Sequence, residues 1–164
     1  MDSLVTLSTR LGEALLKQEY MLSLAESCTG GMASAIITEI AGSSAWFDCG
    51  FVTYSNTAKQ KMLGVSTATI EQYGAVSEET ALEMALGAIK QSQANIAGSI
   101  TGIAGPSGGT TSKPVGTVCF AWVLLGKDAI TKTHHFNRDR QGNRQQATLT
   151  LFKGLLELIK SGQV

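Results

Sequence analysis

The chain has 164 residues, the length of one domain, and folds without disulfide or metal staples, because a chain of this size buries roughly 70% of the surface its unfolded form exposes. Thirteen basic residues balance thirteen acidic ones with no block of like charge, which argues against an electrostatic footprint for nucleic acid or anionic lipid. Charged residues are only 16% of the chain, and 18 glycines with many Ala, Ser and Thr predict close helix–sheet packing and loops built from backbone.

Leu4, Leu7, Leu11 and Leu15 recur at three- and four-residue steps and predict an amphipathic first helix. Acidic residues within this N-terminal stretch separate it from a signal peptide, and no apolar run approaches the ~18 residues of a membrane span. A short strand over residues 20–25 then runs into Glu26-Ser27-Cys28-Thr29-Gly30-Gly31, and Met32, Ile36, Ile37 and Ile40 restore helical spacing. Residues 41–44 break that helix, and residues 46–54 predict a second strand. Either Ser55 or Asn56 can cap the short helix carrying Lys59, Lys61, Met62 and Leu63; Ser66 caps another, which Gly74 ends. Ser77 followed by Glu78 and Glu79 opens a helix through Ile89.

A strand over residues 96–101 enters a loop holding Gly102, Gly105, Pro106, Gly108 and Gly109. Residues 115–125 form a long apolar strand, a turn at 126–128 leads to a last strand over 129–136, and a helix over 140–160 closes the chain. Helices alternating with strands early and a hairpin late predict an α/β fold, a three-layer α/β/α single domain with a mixed β-sheet spanning residues 1–164. No internal repeat, low-complexity segment or linker is visible, and nothing leaves room for a second domain.

Chemistry concentrates where strands end. Ser27 lies where a strand hands over to a helix, a junction that places a side chain at the mouth of a cleft and offers free N–H groups to an anion. A serine there can be a nucleophile with backbone amides as oxyanion donors, or simply a capped turn. A serine nucleophile needs a base. Lys59 and Lys61 are candidates if burial lowers the amine's pKa, against the alternative that both are solvated. The loop from Thr101 to Gly109 matches neither a Walker loop nor a dinucleotide fingerprint, but its glycines allow backbone amides close to a ligand. Arg140 and Arg144 share a helix face at i, i+4, a spacing suited to a phosphate, with surface exposure as the plainer alternative. His134 and His135 fall in an edge strand and carry no assigned chemistry. Cys28, Cys49 and Cys119 are odd in number, far apart and without metal-ligand spacing, which predicts a reduced cytoplasmic chain with no metal.

AESCTGG at 25–31, AGSSAWF at 41–47, GFVTYSN at 50–56, AVSEET at 75–80, TGIAGPSGG at 101–109 and KPVGTV at 113–118 together resemble the CinA C-terminal domain family, from the first helix to the last. In length the chain is similar to the family's stand-alone bacterial members, which deamidate nicotinamide mononucleotide (NMN). The resemblance implies hydrolysis of the NMN carboxamide to nicotinate mononucleotide and ammonia in pyridine-nucleotide recycling, without metal or cofactor. It implies a serine nucleophile at Ser27, a lysine base at Lys59 with Tyr54 close by, and substrate contacts from Cys28, Thr29, Gly30, Gly31, Thr101, Gly102, Gly105, Arg140 and Arg144. A cytoplasmic homodimer is expected, with no nucleic-acid or membrane partner. Where many relatives have Gly-Asp-Arg, this chain has Arg138-Asp139-Arg140. Two competing readings remain. Cys28 could be the nucleophile in a Glu26–Lys59–Cys28 arrangement, or the chain could be a non-catalytic nucleotide-binding module.

Overall fold

The computed structural model describes residues 3–162. Helix α1 (Leu4–Gln18) precedes strand β1 (Leu22–Glu26), helix α2 (Met32–Thr38), a 3-10 turn at Ser43–Ala45 and strand β2 (Phe47–Val52). Then come α3 (Asn56–Leu63), α4 (Thr67–Tyr73), α5 (Glu78–Lys90), β3 (Ile96–Gly102), β4 (Thr117–Leu124), β5 (Ile130–His135) and α6 (Arg140–Ser161). The strands form one sheet in the order β2-β1-β3-β4-β5. β1 pairs parallel with both β2 and β3, while β4 runs antiparallel to β3 and β5 antiparallel to β4. The sheet is therefore mixed, as the order of elements predicts.

Alternation along the central strands assigns the two faces. Leu22, Leu24, Ile96, Ile100, Phe120 and Trp122 meet α1, α2 and α6 in the larger core. Small residues dominate the other face, where Ala25 and Ala97 pack with Met84, and Ala121 with Ala81 and Ala85. Small side chains let α5 lie close to the sheet, and α3 in turn lies close to α5. A Cβ on Gly87 would stand 2.0 Å from the carbonyl oxygen of Leu63, so backbone touches backbone there.

β2 is shorter than the segment of aromatic and β-branched residues suggests. Trp46 precedes it and is buried, packed over Gly12 of α1. At the other end Thr53 and Tyr54 leave the sheet, with the Thr53 amide donating to the Glu26 carbonyl at 2.8 Å. Their own carbonyls are thereby freed at the sheet's edge. Three of the caps are those expected, Ser55, Ser66 and Ser77, and Asp139 caps α6 in addition; each accepts from an amide in the first turn of its helix. Between Ser55 and Asn56, the cap is Ser55. Among the described residues no helix is long and apolar enough to cross a membrane.

Candidate active site

Ser27 sits at the carboxyl end of β1, between two parallel neighbours, the place where ligands commonly bind in such sheets. Its amide donates to the Ile100 carbonyl at 3.0 Å, which extends the β1–β3 pairing by one residue and fixes the backbone under the side chain. Gly30 and Gly31 then adopt left-handed conformations, with φ of 58° and 100°, that turn the chain into α2. Gly31 gives α2 no side-chain cap. Glu26 supplies one from the preceding strand. Its buried carboxylate accepts the Thr29 hydroxyl (2.7 Å) and Ala33 amide (2.9 Å) on one oxygen, and the Ser34 amide (3.0 Å) and hydroxyl (2.7 Å) on the other. An anion at a helix N-terminus suits the exposed amides and the dipole. With four donors on it, Glu26 is occupied in holding the Ser27–Gly31 turn to α2 and makes no contact with Lys59.

Lys59 is the least expected residue of the site. It is 1% exposed, and its Nζ lies 3.0 Å from Ser27 Oγ, 3.0 Å from the Thr53 carbonyl and 3.4 Å from the Tyr54 carbonyl. No carboxylate pairs with it among the described residues. Burial pushes its pKa below the ordinary lysine value, opposed only by the nearby Cys28. The geometry suits the neutral amine. Nζ has three oxygens around it; in the neutral form that burial favours, two hydrogens can stay on the carbonyls while the lone pair turns to the Ser27 hydroxyl. Lys61, two residues on, is exposed. Cys28 lines the same cleft, but burial drives its thiol up to about 11, so it is protonated at neutral pH.

The cleft above the pair has a volume of about 270 Å³. Ser27, Lys59 and Thr101 line it together with Ile103, Ala104, Gly105, Ser107 and Gly108 of the glycine loop. The Thr101 hydroxyl donates to the Ala75 carbonyl at 2.7 Å and Gly102 packs against β4, so both shape the wall. Arg140 reaches in from α6, donating to the Gly105 carbonyl at 2.8 Å and to the Tyr54 hydroxyl at 3.1 Å. It ties the glycine loop to the segment after β2 and carries a positive charge to the cleft's rim. The Tyr54 side chain thus faces Arg140, while it is the Tyr54 backbone that meets Lys59.

Arg144 does something different from its helix neighbour. Nε donates to the Cys28 carbonyl at 3.1 Å, Nη2 to the Thr29 carbonyl at 2.9 Å and Nη1 to Gln141 at 3.0 Å. The guanidinium thus holds the turn behind Ser27 and lies outside the residues lining the cleft. The amides of Cys28 and Thr29 pair with no carbonyl among the described residues, whereas the Gly30 amide is used by the Ser27 carbonyl. Asn143, which no sequence pattern singles out, is 1% exposed and pins the glycine loop through the Ala104 carbonyl at 3.0 Å. An asparagine among arginines in a first helical turn looks like surface until its burial is known. His134 stacks on Phe136 in the edge strand β5, far along the sheet from Ser27. Among the described residues no group of three or more His, Cys, Asp or Glu side chains could hold a metal ion.

The profile of the CinA C-terminal domain matches residues 4–159. The chain is 52% identical over 147 residues to the nicotinamide-nucleotide amidohydrolase PncC of Escherichia coli strain K12, covering 90% of this chain and 89% of that protein. It is 45% identical to the protein of the same name from Pseudomonas putida, covering 96% of this chain and 98% of the other. A crystal structure of the competence/damage inducible protein CihA from Agrobacterium tumefaciens superposes with a TM-score of 0.92 at 43% identity, over 96% of each chain.

Proposed function

The chain belongs to the CinA C-terminal domain family, and on that premise we propose that it hydrolyses the carboxamide of NMN to nicotinate mononucleotide and ammonia, with Ser27 as nucleophile and Lys59 as base. The observation that carries this reading is the 3.0 Å contact between a buried Lys59 amine and the Ser27 hydroxyl, in a chain half identical to nicotinamide-nucleotide amidohydrolases.

In this mechanism the neutral Lys59 amine takes the Ser27 proton as Oγ attacks the carboxamide carbon. The oxyanion is assigned to the Cys28 and Thr29 amides, which no backbone carbonyl engages among the described residues. Collapse breaks the C–N bond, Lys59 passes its proton to the departing nitrogen, and ammonia leaves an acyl-serine. Water then attacks the acyl carbon, Lys59 takes a proton from it, and that proton returns to Ser27 as the acid is released. The Ser–Lys pair follows the logic of serine triads with the lysine in the histidine's place.

The phosphate of NMN is assigned to the rim, where Arg140 meets the glycine loop. Arg144 is assigned to holding the nucleophile's turn, since its donors are engaged by backbone carbonyls. The product is the acid form of the same nucleotide, and the role we assign to the reaction is pyridine-nucleotide recycling. Incubating the purified protein with NMN and measuring ammonia tests the proposal. Saturable NMN binding with no ammonia released would favour a binding module instead.

A further inference from the structure

Among the polar side chains lining the cleft, most are engaged. Lys59 is committed to Ser27 and two carbonyls, the Thr101 hydroxyl hydrogen goes to Ala75, and Arg140 bridges Gly105 and Tyr54. Asn56 and Ser107 line the same cleft and have no hydrogen-bond partner among the described residues. Ser107 belongs to the glycine loop, which is assigned to the phosphate. Asn56 lies outside that loop. It is the first residue of α3 and lies three positions before Lys59, on the same helix face. The Lys59 side chain runs back toward the helix N-terminus, as side chains on helices do, to reach the Thr53 and Tyr54 carbonyls. Asn56 is exposed and lines the cleft together with Lys59. Because Ser55 provides the helix cap, accepting from the Ala58 amide at 3.0 Å, nothing in the helix claims the Asn56 carboxamide.

A primary amide entering this cleft brings one acceptor and two N–H donors. Its oxygen goes to the Cys28 and Thr29 amides in the mechanism above, which leaves its –NH2 in need of an acceptor on the Lys59 side. We propose that Asn56 is a specificity-determining residue whose Oδ1 accepts from the substrate's –NH2, selecting a primary carboxamide and turning its carbonyl carbon toward Ser27. This inference rests on the amidase reading. The chemistry it implies is a preference for primary amides over acyl derivatives that lack N–H, because a site built around a hydrogen bond rejects an analogue that cannot make it.

The test compares NMN with the methyl ester of nicotinate mononucleotide, which has the same carbonyl and phosphate but no N–H. In Asn56→Ala, kcat/KM for NMN should fall ~10–100-fold, the loss expected for one hydrogen bond to a reacting group. The ester, followed by its kcat/KM or by its Ki against NMN, should change less than about threefold, since it never made that bond. Asn56→Asp keeps the acceptor and should recover most of the NMN rate, with the rising alkaline limb of the pH profile displaced upward by a carboxylate in the cleft that Lys59 lines. Equal losses for amide and ester would mean that Asn56 only shapes the cleft, and unchanged NMN turnover in Asn56→Ala would also overturn the inference. A wild-type protein that releases no ammonia from NMN would instead remove the amidase reading itself.

Discussion

The Arg144 guanidinium donates to the carbonyl of Cys28 from 116 residues further along the chain, at 3.1 Å, directly behind the serine that faces Lys59. A second nitrogen takes the Thr29 carbonyl. One planar group thus fixes two successive peptide planes, the first of which carries the Thr29 amide proposed to meet the oxyanion. Arg144→Lys should not substitute, because an ammonium is a point charge without the fork that spans both carbonyls. We expect kcat to fall at least ~30-fold in Arg144→Lys and stability to drop by about 1–3 kcal/mol, the range for charge-assisted hydrogen bonds lost from a half-buried site. Steady-state kinetics beside urea unfolding measure both; an unchanged kcat would assign Arg144 to stability alone.

Ser27→Ala should abolish NMN deamidation and leave NMN binding intact, since the serine backbone stays paired with β3. Cys28→Ala should retain most activity, because its thiol is protonated across the neutral range and Lys59 bonds to Ser27 instead. Ammonia release and calorimetric binding distinguish the variants. An active Ser27→Ala with an inactive Cys28→Ala would reverse the assignment of the nucleophile.

Lys59→Arg should lower kcat by orders of magnitude, since a guanidinium keeps its proton and cannot take that of serine. Lys61→Ala should behave as wild type, its side chain being exposed. The sign of the pH dependence follows from the direction of the Lys59 shift. Burial favours the neutral amine, which is the active form, so the rate should rise as pH climbs through a value lower than an ordinary lysine's. In the window between that value and the unfolded lysine's, the unfolded chain binds more protons, so Lys59 makes the protein more stable as pH rises. A rate that falls as pH climbs through that value, or full activity in Lys59→Arg, would show that Lys59 acts by charge alone.

Arg140→Ala should impair NMN far more than nicotinamide riboside, which lacks the phosphate. If phosphate binding also aligns the amide, kcat and kcat/KM for NMN will both fall. Equal effects on the two substrates would move the phosphate off this rim.

The order and type of elements were legible because each is announced locally. Leucines at helical spacing mark α1, Ser77 with two glutamates opens α5, and apolar runs mark β3 and β4. Ser27 was legible for the same reason, as part of a strand–turn–helix junction. The lysine was not. A lysine on a short helix is ordinarily solvated, and Lys59 is buried only because β2 ends early, releases two carbonyls and brings α3 over them. The motif comparison pointed to it where periodicity could not. Arg140 and Arg144 show the opposite limit. Their spacing correctly puts them on one helix face, yet one reaches the rim of the cleft and the other the turn behind it, a division set by the packing of α6. Asn143 escaped notice, Glu26 was weighed only as a partner for Lys59 and Cys28, and Asn56 only as a helix cap, because the setting of each depends on what lies across the fold.

The contact at Gly87 has a bearing on how this sequence can drift. α3 carries Lys59, and its last turn rests on α5 where Leu63 meets Gly87 with no room for a methyl group. Gly87→Ala must therefore lift α3 away from α5, and the amine moves with it while β1 and Ser27 stay behind. The expected result is a chain that folds, expresses and binds nucleotide yet no longer reacts. Surveys of random variants should find such silent casualties at position 87, and no substitution at Leu63 should revive them, because the contact is with its backbone.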